Sequence, residues 1–148
     1  MEKLHEKYTQ KVDDSLVGEL FHQHTIIKAF VRNPPLGEEQ LQNWLSDLVS
    51  KIGMKIVIGP FAKYVSAVGN SGVTGIVVIE TSHISCHVWD EPNPAMIQLD
   101  CYSCSYYGPK VIADHLKEFG LLSYEMMVID RNKEFRVVES KIVDLEAI

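Results

Sequence analysis

The chain has 148 residues, 46% of them hydrophobic and 23% charged, which is the balance of one globular domain with its own core. Its net charge of −6 and its lack of clustered Lys and Arg argue against a nucleic-acid-binding protein, because phosphates require a positive surface. No apolar run approaches the roughly 18 residues of a membrane-spanning helix, and the polar N-terminus has no export signal. With an odd count of three cysteines, the sequence predicts a cytoplasmic protein without a membrane partner.

The first third of the chain predicts a flexible arm, a strand and an amphipathic helix. Residues 1–16 are charged and aperiodic, so we expect a flexible arm there. Residues 18–32 are rich in β-branched and aromatic side chains, which predicts a strand, and the prolines at 34–35 end that strand. Residues 37–52 carry apolar side chains at helical spacing, which predicts a helix with one buried face. That face consists of Leu41, Trp44, Leu45, Leu48, Val49 and Ile52.

Strands and one further helix follow. The predicted strands are 54–58, 62–68, 73–80, 83–90, 95–103 and 121–130. A second helix is predicted over 109–119, with Pro109 at its first position and Gly120 at its end. The tail FRVVESKIV predicts a short edge strand. The order of elements predicts an α+β two-layer sandwich, with a mainly antiparallel sheet and two helices on one face, in a single domain spanning 1–148.

Residues able to carry chemistry concentrate in the segment ETSHISCHVWDE, at positions 80–91. Because side chains alternate along a strand, His83, Ser85 and His87 share one face, opposite an apolar set. Polar residues on the open face of an antiparallel sheet are usually only solvated. On the residues alone, a structural role is therefore the first expectation.

Three motifs resemble the S-adenosylmethionine decarboxylase family, in its short prokaryotic, pyruvoyl-dependent form. The string TSHISCHVWDE at 81–91 is similar to the family's E-S-H-[hydrophobic]-[ST]-[IV]-H-T-W-P-E signature. GVTGIVVI at 72–79 resembles its G-V-S-G-V-V-V-I strand, and LDCYSC at 99–104 resembles its [VL]-D-[LV]-F-T-C strand. His24 matches the family's G-x-H-L opening more loosely. The resemblance is carried by roughly residues 72–104.

The resemblance implies that the proenzyme cuts its own chain between Thr81 and Ser82. Ser82 would then become a pyruvoyl group, which forms a Schiff base with a substrate amine and accepts electrons as CO₂ leaves. The implied reaction is decarboxylation of S-adenosylmethionine, which supplies the aminopropyl donor for spermidine and other polyamines. The protomers are expected to form a homodimer whose two sheets build the active sites between them.

Four further residues receive roles from the resemblance, and three of them have a plain structural alternative. His87 would take the Cα proton of Ser82, and otherwise is a solvated strand histidine. Thr74 matches a family serine whose hydroxyl helps to hold the oxyanion during cleavage. Cys104 would return a proton to the substrate carbon, and otherwise is a small buried hydrophobe. Glu91 would bind the ribose hydroxyls, and otherwise is a surface carboxylate.

The pattern departs from the family where the adenine would stack. The family's F-x-P-x-G stretch corresponds to VGNSG at 68–72, so Val68 replaces the aromatic ring. Phe61, Tyr64 or Tyr107 could compensate, although the sequence does not choose among them. The self-processing set is therefore kept better than the adenosine-binding set.

Two other departures leave alternatives open. Thr81 stands where the family usually has glutamate, and Asp90 stands where it has proline. A pyruvoyl decarboxylase of another amino acid, such as ornithine or arginine, fits the altered pocket as well. A non-catalytic relative that stays uncut and binds a small molecule or a partner subunit is a further alternative, and activation by putrescine is left open.

A metal site is not expected. The Cys101-x-x-Cys104 spacing has no second cysteine pair. The histidines of His22-x-His24 would share a strand face, but no further ligands are evident.

Overall fold

A computed structural model describes residues 5–11 and 22–146 of the chain. In chain order the strands are β1 (His5–Lys11), β2 (Gln23–Val31), β3 (Ile56–Val65), β4 (Gly72–Ile79), β5 (Ser82–Trp89), β6 (Ala95–Ser103), β7 (Leu121–Asp130) and β8 (Arg136–Asp144). The helices are α1 (Glu38–Lys51) and α2 (Lys110–Leu116), and a 3₁₀ turn over Lys117–Phe119 extends α2.

All eight strands of the described ranges join one antiparallel sheet. Their order is β1-β8-β7-β2-β6-β5-β4-β3. The strands β3 to β6 follow one another as hairpins, and β2 inserts between β6 and β7. The predicted α+β class and the mainly antiparallel sheet are thus confirmed.

Helix α1 forms where the apolar spacing predicted it, and its predicted face is buried. Two acidic residues in its first turn, Glu38 and Glu39, complement the positive end of the helix dipole. A Cβ atom at Gly75 of β4 would lie 2.9 Å from a Leu41 methyl group and 3.1 Å from a Leu45 methyl group. The apolar face of α1 therefore rests directly on the backbone of β4.

The two helices are joined by a reciprocal contact between Trp44 and His115. Trp44 Nε1 donates to the His115 carbonyl oxygen at 3.2 Å, and His115 Nε2 lies 2.9 Å from the Trp44 carbonyl oxygen. The two rings stack with their centroids 4.4 Å apart. Because His115 Nε2 faces a carbonyl, it carries the proton, and Nδ1 accepts from Lys51 Nζ at 2.9 Å. Burial lowers the pKa of His115, which favours this neutral form.

Side chains alternate between a buried face and an open face along the central strands. On the buried face of β5 lie Ile84, Cys86 and Val88, which are at most 4% exposed. We call the opposite side of the sheet the open face. Its central part carries Ile26 and Lys28 of β2, Thr74 and Ile76 of β4, Ser85 and His87 of β5, and Gln98 and Asp100 of β6. Polar and apolar groups are mixed there, with Ile26 40% exposed and Ile76 43% exposed.

The structure corrects the expectations at the two ends of the chain. Residues 5–11, predicted to belong to a flexible arm, form β1 and pair with β8; positions 1–4 and 12–16 lie outside the described residues. Strand β8 is therefore not an edge strand, because β1 covers its outer side. The predicted strand 18–32 is found as β2 over its described part.

Two internal expectations also change. The strands predicted at 54–58 and 62–68 are one continuous strand, β3, because an irregularity between Ile58 and Phe61 absorbs the glycine and proline between them. Pro109 is the N-cap of α2 and not its first residue. Within the described ranges, neither helix is long and apolar enough to cross a membrane.

Candidate functional site

The hairpin between β4 and β5 presents the segment in which cleavage is predicted. Its turn consists of Glu80 and Thr81, and Ser82 opens β5. The Cys104 backbone N–H donates to the Thr81 carbonyl oxygen at 2.8 Å. Thr81 Oγ1 also lies 3.2 Å from the Met54 sulfur. The carbonyl that Ser82 would attack is thus already held by a hydrogen-bond donor.

Ser82 has a backbone φ of 143°, a region that side-chain-bearing residues rarely occupy. Such conformations cost of the order of 1–3 kcal/mol and persist only where the surroundings enforce them. Here pairing with Ile79 on one side and Ser103 on the other fixes the residue. Breaking the Thr81–Ser82 bond would release this strain, which favours the cut chain.

Thr74 and His87 form a second group on the open face. They are paired residues of β4 and β5, and Thr74 Oγ1 is hydrogen-bonded to His87 Nδ1. His87 is exposed, and its ring lies 6.3 Å from the Trp89 ring. At about 3.3 Å per residue, five positions along β5 separate His87 from Ser82 by roughly 17 Å. The structure therefore does not bring His87 and Thr74 to the Ser82 of the same chain.

Glu91 lies beyond the end of β5 nearest His87. Ser71 Oγ lies 2.9 Å from Glu91 Oε1 and 3.1 Å from Asp90 Oδ1. Tyr64 OH donates to Asp90 Oδ2 at 2.7 Å, and this bond raises the pKa of Tyr64. Glu91 keeps an exposed carboxylate that is able to accept hydrogen bonds from hydroxyl groups.

Val68 lies in the loop between β3 and β4 and is 99% exposed. Its aliphatic side chain has no π face on which a base could stack. Position 68 therefore offers no aromatic surface for a base.

The three cysteines, all within the described residues, differ in exposure. Cys86 and Cys101 are buried, and burial raises the pKa of each thiol to about 12. Cys104 is exposed and directly follows β6, so its thiol is accessible to a substrate. The described residues contain no group of three or more His, Cys, Asp or Glu able to hold a metal ion.

A third cluster on the open face, centred on Asp100, was missed by the sequence analysis. Asp100 Oδ1 lies 3.3 Å from the Nε2 atoms of both His24 and His83, and Asp100 Oδ2 accepts from Ser85 Oγ at 2.6 Å. The hydrogen bond to His24, with further help from Ser85 and the histidine charges, lowers the pKa of Asp100 to about 2. This cluster braces the start of β5, where Ser82 lies.

Tyr102 extends that cluster toward the end of β7. His22 Nδ1 lies 2.8 Å from the Tyr102 hydroxyl, and the Arg131 guanidinium lies 4.1 Å above the Tyr102 ring. The sequence could have shown part of this cluster. Asp100 and Tyr102 are two positions apart on β6, and His83 and Ser85 are two positions apart on β5, so each pair shares a strand face. Only the strand order shows that β2 brings His24 to the same place.

Comparisons with known proteins all give S-adenosylmethionine decarboxylases. A family model described as S-adenosylmethionine decarboxylase matches residues 23–132. The S-adenosylmethionine decarboxylase proenzyme of Symbiobacterium thermophilum is 33% identical over 78 residues, 52% of this chain and 54% of that protein. The proenzyme of Archaeoglobus fulgidus is 30% identical over 96 residues, 64% of this chain and 80% of that protein.

A structural comparison gives the same name. The crystal structure of adenosylmethionine decarboxylase from Aquifex aeolicus superposes with a TM-score of 0.58 and 19% identity, over 76% of this chain and 91% of that chain. This likeness concerns the fold alone. The match spans only about half the length of the Symbiobacterium relative. Since the family model covers most of the chain, the chain belongs to the S-adenosylmethionine decarboxylase family.

Proposed function

We propose that this chain is a self-processing, pyruvoyl-dependent decarboxylase of S-adenosylmethionine that supplies the aminopropyl donor for polyamine synthesis. One observation carries the proposal: the strained Ser82 directly follows a carbonyl that already accepts a hydrogen bond from the Cys104 N–H. The names of the relatives support S-adenosylmethionine as the substrate.

The self-processing chemistry uses groups of the chain and one water molecule. Ser82 Oγ attacks the Thr81 carbonyl carbon, the C–N bond breaks, and an ester forms while the Ser82 nitrogen becomes a free amine. The Cys104 N–H stabilises the negative charge that develops on the Thr81 oxygen. Removal of the Ser82 Cα proton then expels the Thr81 carboxylate and leaves dehydroalanine. Hydrolysis releases ammonia and leaves a pyruvoyl group on residues 82–148.

The residues present fit a pyruvoyl group at position 82, because the nucleophile and an oxyanion donor already lie together at its predicted origin. When formed, that group supplies an electron sink for decarboxylation of an amino acid. The exposed Cys104 thiol would return a proton to the substrate carbon. Glu91 would accept hydrogen bonds from the ribose hydroxyls.

The distance between His87 and Ser82 supports a homodimer as the working unit. In a symmetric dimer the same surface of both protomers is used, so groups at opposite ends of β5 can come close to their counterparts in the partner. The open face carries apolar side chains, including the exposed Ile26, Ile76 and Met127, which a second copy would cover. In this arrangement Thr74 and His87 of one protomer would serve the partner subunit's Ser82. We also propose that both helices cover the other face, which makes each protomer a two-layer sandwich.

The activity is tested by release of labelled CO₂ from carboxyl-labelled S-adenosylmethionine, with ornithine and arginine as competing substrates. We expect release from S-adenosylmethionine by the wild type and none by Ser82→Ala. Release from ornithine or arginine instead would refute the substrate, and release by Ser82→Ala would refute the pyruvoyl mechanism.

A further inference from the structure

The adenine of the proposed substrate needs a flat surface, and the loop position that the family uses holds Val68. The sequence leaves Phe61, Tyr64 and Tyr107 as aromatic residues that could replace it, and the structure distinguishes them. Tyr107 is only 3% exposed, and its hydroxyl is bonded to Thr25 and to the Cys101 carbonyl, so it belongs to the core. Tyr64 is bonded through its hydroxyl to Asp90.

Phe61 is the aromatic residue that borders the open face. Its side chain is 60% exposed although it is purely apolar. It lines a cavity of about 360 Å³ together with Lys63, Thr74, Gly75, Ile76, Ser85 and His87. The cavity therefore joins an exposed aromatic ring to the Thr74–His87 pair.

A bulge in β3 turns Phe61 toward this cavity. Ile58 pairs with Val78 and Phe61 pairs with Ile76, so three steps along β3 oppose two steps along β4. The extra residue reverses which face the following side chains occupy. Without it, position 61 would oppose Gly75, which lies on the face covered by α1.

Gly59 makes the bulge possible. Its φ is +92°, and a Cβ atom there would lie 3.1 Å from the Phe61 nitrogen and 3.2 Å from the Ile76 oxygen. A larger residue would be strained in both backbone conformation and space. Gly59 therefore permits the bulge that places the Phe61 side chain on the open face.

We propose that Phe61 provides the stacking surface for the adenine base of the substrate, in place of the residue at position 68. This inference rests on the proposed function. A purine has a π face that stacks on aromatic rings whatever its hydrogen-bonding edge. Ile76, the strand partner of Phe61, adds apolar surface to the cavity, and Thr74 and His87 line the same cavity.

If Phe61 stacks on the adenine base, removing its ring should weaken substrate binding and leave the rate of the decarboxylation step unchanged. We expect Phe61→Ala to raise KM for S-adenosylmethionine by about 5- to 150-fold, the range that stacking energies imply, with kcat changed little. Phe61→Trp should keep the wild-type KM. Phe135→Ala is the matched control, because Phe135 is 72% exposed in the turn between β7 and β8 and should leave KM unchanged.

A binding measurement separates this proposal from the activity. Titration calorimetry with 5′-methylthioadenosine, which carries the base and ribose without the amino acid, is run on the wild type, Phe61→Ala, Val68→Ala and Phe135→Ala. Weaker binding in Phe61→Ala alone supports stacking. This result would stand even if the wild type did not decarboxylate S-adenosylmethionine, which would refute the proposed function. Equal binding by the wild type and Phe61→Ala, binding lost in Val68→Ala instead, or no binding by the wild type would each overturn it.

Discussion

The backbone nitrogen of Cys104 lies 2.8 Å from the carbonyl oxygen of Thr81, to which it donates a hydrogen bond. Strand β6 ends beside the turn of the neighbouring hairpin, so the backbone N–H and the thiol of Cys104 could take separate parts in the proposed reaction. The backbone group points at the bond predicted to break, and the exposed thiol is free for a later step.

The first prediction separates these two contributions. Cys104→Pro removes the N–H, and because loss of one oxyanion donor typically slows a reaction by about 10²–10³-fold, we expect self-cleavage to slow by that factor. Cys104→Ala keeps the N–H and should be cleaved like the wild type, yet decarboxylate poorly. Intact mass against time measures cleavage, and thermal melts verify that both variants fold. Cleavage of the proline variant at the wild-type rate would exclude this donor.

The second prediction concerns the proposed exchange of residues across a dimer. We expect Ser82→Ala and His87→Ala to remain uncut when each is expressed alone. When both are co-expressed with different tags, mixed dimers contain one complete site, in which the Ser82→Ala chain supplies His87 to the other chain. The His87→Ala chain should then be cleaved in part.

The control for this complementation is a mixture of two differently tagged His87→Ala chains, which has no complete site. Continued absence of cleavage in the mixed dimers would show that His87 does not serve the partner subunit's Ser82. Full cleavage of His87→Ala alone would show that His87 has no part in processing.

The third prediction follows from Asp100, whose pKa is lowered to about 2 chiefly by His24. A carboxyl group with a folded-state pKa below its ordinary value of about 3.9 stabilises the folded protein above that value, and this stabilisation is lost as the pH falls toward 2. Asp100 is partly exposed, so after allowance for solvent screening we expect Asp100→Asn to lower the unfolding free energy by about 1 kcal/mol at pH 6.

Urea denaturation at pH 6 and at pH 2.5 measures this difference. It should shrink at the lower pH, because pH 2.5 lies well below the ordinary carboxyl pKa of about 3.9 and close to the folded-state pKa of about 2, so most of the stabilisation is lost there. Ser85→Ala, which removes one donor but keeps the carboxylate, should have a smaller effect in the same direction. A wild-type-to-variant difference that does not change between the two pH values would contradict the assignment.

The fourth prediction tests the close approach of β4 to β5. Gly72 has a φ of +151°, and a Cβ atom there would lie 1.8 Å from the Val88 carbonyl oxygen. We expect Gly72→Ala to destabilise the fold by about 3 kcal/mol or more, because a backbone strand must move. Gly37→Ala, where nothing lies within 4 Å of the added carbon, should change the melting temperature little. Equal melting temperatures for the two variants would refute this packing.

The sequence predicted those elements whose local pattern decides their structure. The spacing of apolar residues on α1 and the alternation along β6 locate both elements to within a residue or two. In contrast, β1 reads HEKYTQK, a polar string without apolar alternation, and only pairing with β8 makes it a strand. Pairing of that kind joins distant segments and leaves no local signal.

The sequence names candidate site residues but does not place them relative to one another. The resemblance assigns Ser82, His87 and Cys104 to one reaction, and the structure keeps Ser82 near Cys104 but far from His87. Sequence spacing cannot show this, because five residues along a strand and five around a helix cover very different distances. The Asp100 cluster could not be predicted from the sequence for a related reason, because only the pairing of β2 with β6 brings His24 to it.

The central claim is that the chain cuts itself at Thr81–Ser82, and intact-mass spectrometry of the purified protein tests it most directly. We expect two fragments, residues 1–81 and the 67 residues 82–148. The second should be lighter than the simple hydrolysis product by the difference between serine and a pyruvoyl group, which is one ammonia. Neither fragment should appear in Ser82→Ala. If the wild type and Ser82→Ala both show only the mass of the uncut chain under all reducing conditions, the pyruvoyl mechanism is contradicted.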